Sequence, residues 1–226
     1  MSEIARAAGR LHELVVVDGG LPDLDTLIGE LGTRRPILVI DPARDGFLQL
    51  TNVLTGNSDW DAIHILGHGS PGQIAIGSTV TNELSLSAHP KFFAAIGEML
   101  TTDGDILLYG CNVASGTSGQ TFLAALSAAT GADVAASSDL TGGTGDWTLE
   151  AVVGDVETPA LALEVYSSSL NSMSFASASA AAGGFYSTFA LLSKAAYHLG
   201  LGEKLQDGQR EDRKSTRLNS SHRLTS

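Results

Sequence analysis

Short apolar runs recur along the chain, at residues 14–18, 36–41, 62–66, 105–109 and, more weakly, 133–136. None of the runs alternates between apolar and polar positions. Continuous apolar runs of this length are typical of strands that are buried on both faces of a parallel sheet. The pattern therefore predicts five buried strands.

The segments between these runs carry apolar residues at three- and four-residue spacing, which predicts amphipathic helices. The predicted helices cover residues 22–31, 45–55, 87–100 and 117–130. Strands that alternate with helices indicate an α/β fold, a three-layer sandwich with a mostly parallel sheet. Short β excursions around glycine turns are predicted at residues 73–80 and 146–153.

The composition divides the chain into five parts. An N-terminal extension at 1–12 precedes the α/β domain at 13–166, and a Ser/Ala/Gly-rich linker follows at 167–184. Residues 185–208 contain one amphipathic segment, which we interpret as the start of a truncated second domain. Residues 209–226 are basic and resemble a translated sequencing-adapter read, with a basic disordered tail as the alternative. We expect the natural protein to continue beyond about residue 208.

Composition and charge exclude several classes of protein. The chain has a net charge of −12, which argues against a nucleic-acid partner because phosphates require a basic face. Its single cysteine cannot form an intrachain disulfide. No apolar run approaches the roughly 20 residues of a membrane span. The N-terminus lacks the apolar core of a signal peptide, so we expect any export to use another route.

Two residues that can carry chemistry follow successive strands. His68 and Gly69 come directly after the third apolar run, and Cys111 comes after the fourth. If these strands are neighbours, their backbones lie about 5 Å apart and the side chains emerge at one edge of the sheet. An imidazole beside a thiol can take its proton and create a nucleophilic thiolate. A helix that begins shortly after Cys111 would further favour the thiolate.

Simpler interpretations stay open for each residue. His68 can be a polar turn residue, and Cys111 can be a small buried apolar residue. His64 is expected to be a core or rim histidine. The Gly67–Gly72 stretch matches a dinucleotide fingerprint in letters, but a β-like stretch follows it instead of a helix. We therefore predict no cofactor and no metal site.

The stretches DAIHILGHGSPGQIAIGS and DGDILLYGCNVASG carry a resemblance to a known group of enzymes. An apolar strand that ends in His-Gly, followed by an apolar strand that ends in Cys, resembles the caspase-like cysteine peptidases of clan CD. More narrowly, residues 14–153 resemble an uncharacterised caspase-like domain. That domain lies near the N-terminus of large bacterial RTX-type surface proteins with cadherin-like repeats. The resemblance implies a caspase-like or flavodoxin-like three-layer sandwich.

Roles for individual residues follow from the resemblance. It makes His68 the general base or proton shuttle and Cys111 the nucleophile, with Gly69 and the Cys111 N–H as oxyanion donors. It also implies a substrate pocket lined by Asp18, Ser138 and Asp139. Acidic residues in such a pocket would favour a basic substrate side chain.

The resemblance also implies partners and a location. The substrate would be a polypeptide, including the module's own chain, and calcium would bind only through repeats further downstream. The protein would be secreted or lie at the cell surface. The alternative is a non-catalytic α/β module of a secreted adhesin, and a weaker option is lipase-like activity in a downstream domain.

Overall fold

The computed structural model describes residues 12–56 and 58–170. The helices are α1 (Leu24–Leu31), α2 (Gly46–Leu54), α3 (Glu83–Ala88), α4 (Pro90–Gly97) and α5 (Gly116–Thr130). The strands are β1 (Glu13–Asp18), β2 (Ile37–Ile40), β3 (Trp60–Leu66), β4 (His68–Ser70), β5 (Gln73–Ile76), β6 (Thr79–Asn82), β7 (Leu100–Tyr109), β8 (Asp133–Ala136) and β9 (Ala151–Val153). Nearly all of the predicted N-terminal extension and linker, the predicted second domain and the basic tail lie outside the described residues.

Six strands form the main sheet in the order β2–β1–β3–β7–β8–β9. The first five run parallel, and β9 pairs antiparallel with β8. All six residues of β1 are buried, as a continuous apolar run predicts for a strand that is covered on both faces. The predicted α/β class with a mostly parallel sheet is confirmed, and each of the five apolar runs forms one of its strands.

A second, antiparallel sheet of β4, β5 and β6 is inserted after β3. Its two turns contain Gly72, with φ 78°, and Gly77, with φ 59°. These are left-handed conformations that glycine adopts without strain. The predicted excursion at 73–80 is confirmed as the β5–β6 hairpin. The Gly72 N–H donates to the Val113 carbonyl at 2.9 Å, which fixes this small sheet over the end of β7.

Apolar side chains cover both faces of the main sheet. On one face, α2 to α5 supply the layer, with Phe93 and Phe122 among the largest buried side chains. On the other face, α1 shares the layer with residues 154–170, a segment without a helix or a strand of its own. Leu161 and Leu170 are its buried apolar residues nearest the two ends. One outer layer of the sandwich is therefore partly irregular.

The helix predicted at residues 87–100 is wrong in its extent. The structure has two short helices, α3 and α4, and Leu100 already begins β7. Pro90 is in the first turn of α4, and a proline disfavours helical conformation at the residue before it. His89 accordingly has φ −131° and ψ 51°. The apolar spacing continues across this break and conceals it in the sequence.

A buried polar row crosses β1, β3 and β7. His64 Nε2 lies 2.9 Å from a carboxylate oxygen of Glu13, and His64 Nδ1 lies 3.2 Å from the Tyr109 hydroxyl oxygen. That hydroxyl also accepts the backbone N–H of Leu161 at 2.8 Å. Arg35 donates to the same Glu13 oxygen. The row therefore links three strands to the irregular segment, with His64 inside the core.

No helix of the described chain is long and apolar enough to cross a bilayer.

Replacing Tyr109 with phenylalanine tests this row. The change removes the hydroxyl and leaves the Leu161 N–H without its acceptor in a buried position. We expect the free energy of unfolding, measured by urea titration, to fall by about 1–3 kcal/mol. Tyr166→Phe is the control, because its hydroxyl donates to the carbonyl of exposed Pro22, which water can solvate. Equal losses in both variants would contradict the expectation.

Glu13 makes stability depend on pH. Burial alone raises the pKa of Glu13, but hydrogen bonds from His64 and Arg35 outweigh it and hold the pKa below the ordinary value of 4.5. The ionised Glu13 carboxylate therefore stabilises the fold fully above pH 4.5, and this stabilisation is lost as the pH falls through the lower pKa that Glu13 has in the folded protein. Relative to wild type, Glu13→Gln should lose stability at neutral pH and approach wild type in acid. The control is Asp25→Asn, on the exposed side of α1, whose free energy of unfolding should follow that of wild type at every pH. A difference between Glu13→Gln and wild type that does not change with pH would contradict the role of Glu13.

Candidate active site at the carboxyl ends of β3 and β7

The two strands that precede His68 and Cys111 pair directly. Leu66 at the end of β3 lies opposite Tyr109 at the end of β7. One residue further, the Gly67 N–H donates to the Tyr109 carbonyl at 3.2 Å. The pairing therefore brings the chain after β3 and the chain after β7 to the same edge of the sheet.

The backbones touch at this edge. A Cβ atom on Gly69 would lie 2.4 Å from the carbonyl carbon of Gly110 and 2.6 Å from the nitrogen of Cys111. A Cβ on Gly110 would lie 3.0 Å from the Cα of Gly69. Distances this short exclude side chains at both positions unless the backbone shifts. Glycine at 69 and 110 thus sets β4 directly against the peptide that carries the thiol.

His68 lies in β4 opposite Ala75 of β5 and is half-buried. Its Nδ1 atom is buried and has no hydrogen-bond partner within the described chain. No hydrogen bond joins the imidazole to the Cys111 thiol among the described residues. The structure therefore places β4 against the backbone of Cys111 through Gly69, and the described residues form no imidazole–thiol hydrogen bond.

Cys111 is 0% exposed and lies in the apolar cluster that contains Tyr109 and Leu170. Polar groups nevertheless surround its sulfur. Sγ accepts the Thr141 N–H at 3.3 Å, lies 3.6 Å from the Thr141 carbonyl oxygen, and lies 3.5 Å from the Ser169 hydroxyl. Thr141 lies in the chain after β8, and Ser169 lies near the end of the described chain.

A tight turn follows Cys111 and leads into α5. Asn112 has φ 61°, a left-handed conformation that asparagine tolerates better than most residues. Its N–H donates to the Asp139 carbonyl at 2.6 Å, and the Ala114 N–H donates to the Ser137 carbonyl at 2.9 Å. These bonds hold the turn against the chain after β8 and start α5 at Gly116.

The predicted pocket residues lie in different surroundings. Asp18 is 2% exposed, and its two carboxylate oxygens accept the Gly20 and Gly77 N–H groups, each at 2.6 Å. It therefore ties the end of β1 to the β5–β6 turn. The Ser138 N–H and hydroxyl both donate to Glu150, at 2.7 and 3.1 Å.

Of the predicted pocket residues, Asp139 contacts the turn after Cys111 through its backbone. Its carbonyl oxygen accepts the Asn112 N–H at 2.6 Å, and its side chain is exposed. The structure thus brings His68, Gly69, Cys111 and the Asp139 backbone to one place. Asp18 is bound elsewhere, by the turn of the second sheet.

Among the described residues, two groups of carboxylates have the spacing to hold a metal ion. They are Asp105, Asp133 and Glu157, and Asp139, Asp146 and Glu150, and within each group the ligand atoms lie within 4.8 Å of one another.

The chain after the Gly67–Gly72 stretch continues as strand β5 and not as a helix. That stretch therefore lacks the helix N-terminus on which a dinucleotide pyrophosphate binds.

Sequence reasoning missed three residues at this edge: Thr141, Ser169 and Leu170. Residues 167–184 have a linker composition, yet 167–170 pack on the domain. The available signal was weak, namely the apolar positions Leu161, Tyr166 and Leu170, which interrupt a polar stretch and are all buried.

Comparisons with known proteins show the family and little more. A solved short chain dehydrogenase family protein from Francisella tularensis is 16% identical, with 52% of this chain and 59% of that protein covered and a TM-score of 0.27. The chain thus spans less than two thirds of that protein, and a TM-score this low does not establish a shared fold or function. No curated protein matches the sequence. A family model described as a domain of unknown function (DUF4347) matches residues 14–172, and the chain therefore belongs to this family.

Proposed function

We propose that the α/β domain is a caspase-like cysteine endopeptidase module with Cys111 as nucleophile and His68 as general base. The observation that carries the proposal is the backbone contact between Gly69 and the Gly110–Cys111 peptide. This contact holds an imidazole-bearing strand against a thiol-bearing turn, as the resemblance to caspase-like peptidases requires. The substrate is a polypeptide.

The mechanism follows from the groups at this edge. His68 takes the thiol proton as the Cys111 sulfur attacks a peptide carbonyl, and the oxyanion faces the Gly69 and Cys111 N–H groups. The leaving amine takes the proton from His68. Water then hydrolyses the thioester and restores the thiol. The imidazole must first turn toward the sulfur, and hydrogen bonds of this kind often tighten only when substrate is bound.

The wider setting is part of the same proposal. The module belongs to a large bacterial protein that is secreted or lies at the cell surface, of the RTX or cadherin-repeat type. The basic tail at 209–226 lies outside the described residues, and the proposal does not depend on it.

One observation favours a different function. Cys111 is fully buried and its sulfur is bound by Thr141 and Ser169, which is the usual state of a cysteine that only packs. In this second proposal the domain is a non-catalytic module of a secreted adhesin.

Hydrolysis of an unfolded protein separates the two proposals. We expect the full chain to cleave fluorescein-labelled casein. Cys111→Ala should abolish cleavage, and His68→Ala should reduce the rate at least about 100-fold, since a general base contributes this much. His89→Ala, a half-buried histidine between α3 and α4, is the matched control and should keep the wild-type rate.

Because chain segments cover Cys111, the assay includes Glu30→Ala. The Glu30 carboxylate accepts the N–H groups of Val165 and Tyr166, each at 2.8 Å, and of Glu164, so its loss should loosen the covering segment and raise the rate. Casein cleavage that survives Cys111→Ala would reject the peptidase in favour of the non-catalytic module. So would a wild type and a Glu30→Ala variant that cleave neither casein nor their own chain.

A further inference from the structure

Residues 161–170, here called the C-terminal strap, lie over the α1 face and end at the candidate active site. Hydrogen bonds fix the strap at several points. The Leu161 N–H donates to the Tyr109 hydroxyl at 2.8 Å. The Glu30 carboxylate on α1 accepts three successive N–H groups, those of residues 164 to 166. The Tyr166 hydroxyl donates to the Pro22 carbonyl at 2.8 Å. The path of the strap is thus set by specific contacts before it reaches Cys111.

The end of the strap pairs with the chain after β8 in the manner of a bound peptide. Ser169 forms an antiparallel bridge with Gly142, and the Leu170 N–H donates to the Thr141 carbonyl at 3.0 Å. Extended peptides commonly bind by adding backbone hydrogen bonds at an edge, while side-chain pockets give specificity. Residues 169–170 therefore have the backbone contacts expected of a substrate segment.

The Leu170 carbonyl lies at the predicted oxyanion donor. Its oxygen is 3.5 Å from the Gly69 nitrogen, which donates to it. The preceding residue, Ser169, places its hydroxyl 3.5 Å from the Cys111 sulfur. A carbonyl that accepts the N–H of an oxyanion donor, one residue after a hydroxyl that contacts the nucleophile, is where the bond to be attacked is expected to lie.

The side chain of Leu170 fills an apolar site. It is 0% exposed and shares its cluster with Val17, Leu21, Tyr109 and Cys111. The Asp18 carboxylate, which could have bound a basic side chain, instead accepts two backbone N–H groups. The surroundings of Leu170 thus favour an apolar side chain before the carbonyl, whereas Asp18 and Asp139 led us to expect a basic one.

We infer that the strap is the module's own substrate and that the bond cleaved is the peptide bond between Leu170 and Asn171; this inference rests on the proposed peptidase function. Tethering supplies the segment at high effective concentration, so a long and weak carbonyl contact suffices.

The reaction uses only groups of the chain and water. His68 takes the thiol proton, and the Cys111 thiolate forms a bond to the Leu170 carbonyl carbon. The C–N bond then breaks, and the Asn171 amine leaves with the proton from His68. Water then adds its hydroxyl to the Leu170 carbonyl carbon, the C–S bond breaks, and the remaining proton of the water returns to the sulfur, which gives a free carboxyl group at Leu170.

Intact-mass analysis of the 226-residue chain tests the inference. We expect wild type to yield a fragment that ends at Leu170 and one that begins at Asn171, and Cys111→Ala to stay whole. Leu170→Asp should lower the rate at least about 100-fold, because a carboxylate does not fit the apolar site. Asn171→Pro should block the same bond without altering Leu170, and Asn171→Ala is its matched control.

The casein assay distinguishes the two possible failures. Casein cleavage by a chain that stays whole, or that is cut at a different Cys111-dependent bond, overturns the strap as substrate and leaves the peptidase standing. A whole chain without casein cleavage, in wild type and in Glu30→Ala, overturns both. Fragments that form in Asn171→Pro as fast as in wild type also overturn the inference.

Discussion

The contact between Gly69 and the Gly110–Cys111 peptide is the constraint on which the rest of the site depends. Parallel pairing of β3 with β7 brings the two chain ends to one edge, but only the absence of side chains at 69 and 110 lets them touch. Any Cβ at these positions would move the second sheet away from the main one. The imidazole of His68 would move with it, since β4 begins at that residue.

The sequence predicts the main sheet well because a strand that is buried on both faces needs a continuous run of apolar residues, which is visible in the local sequence. A continuous apolar run can be recognised in the sequence without knowledge of its neighbours in the sheet. The runs at 62–66 and 105–109 therefore also predict that His68 and Cys111 come at the ends of strands. Local signals fail where another rule intervenes, as Pro90 does within the spacing of residues 87–100. Asp18 shows the second limit, since its role depends on a backbone N–H at Gly77, 59 residues away.

The C-terminal strap could not be predicted for a related reason. Its order comes from tertiary partners, the Glu30 carboxylate and the Tyr109 hydroxyl, and not from any periodicity of its own. It nevertheless completes an outer layer of the sandwich. Burying a side chain such as Leu161 contributes about 1.5–3 kcal/mol, so the strap belongs to the folded domain as much as a helix would.

The position of Leu170 as the last described buried side chain has a consequence for turnover. A cut directly after it would leave all of the described residues, and the core that they form, on the N-terminal product. The new carboxylate would stay beside the sulfur that made it and would compete with other polypeptides for the site. Such a module would be inhibited by its own product, so maturation of its own chain would precede and slow any action on other proteins.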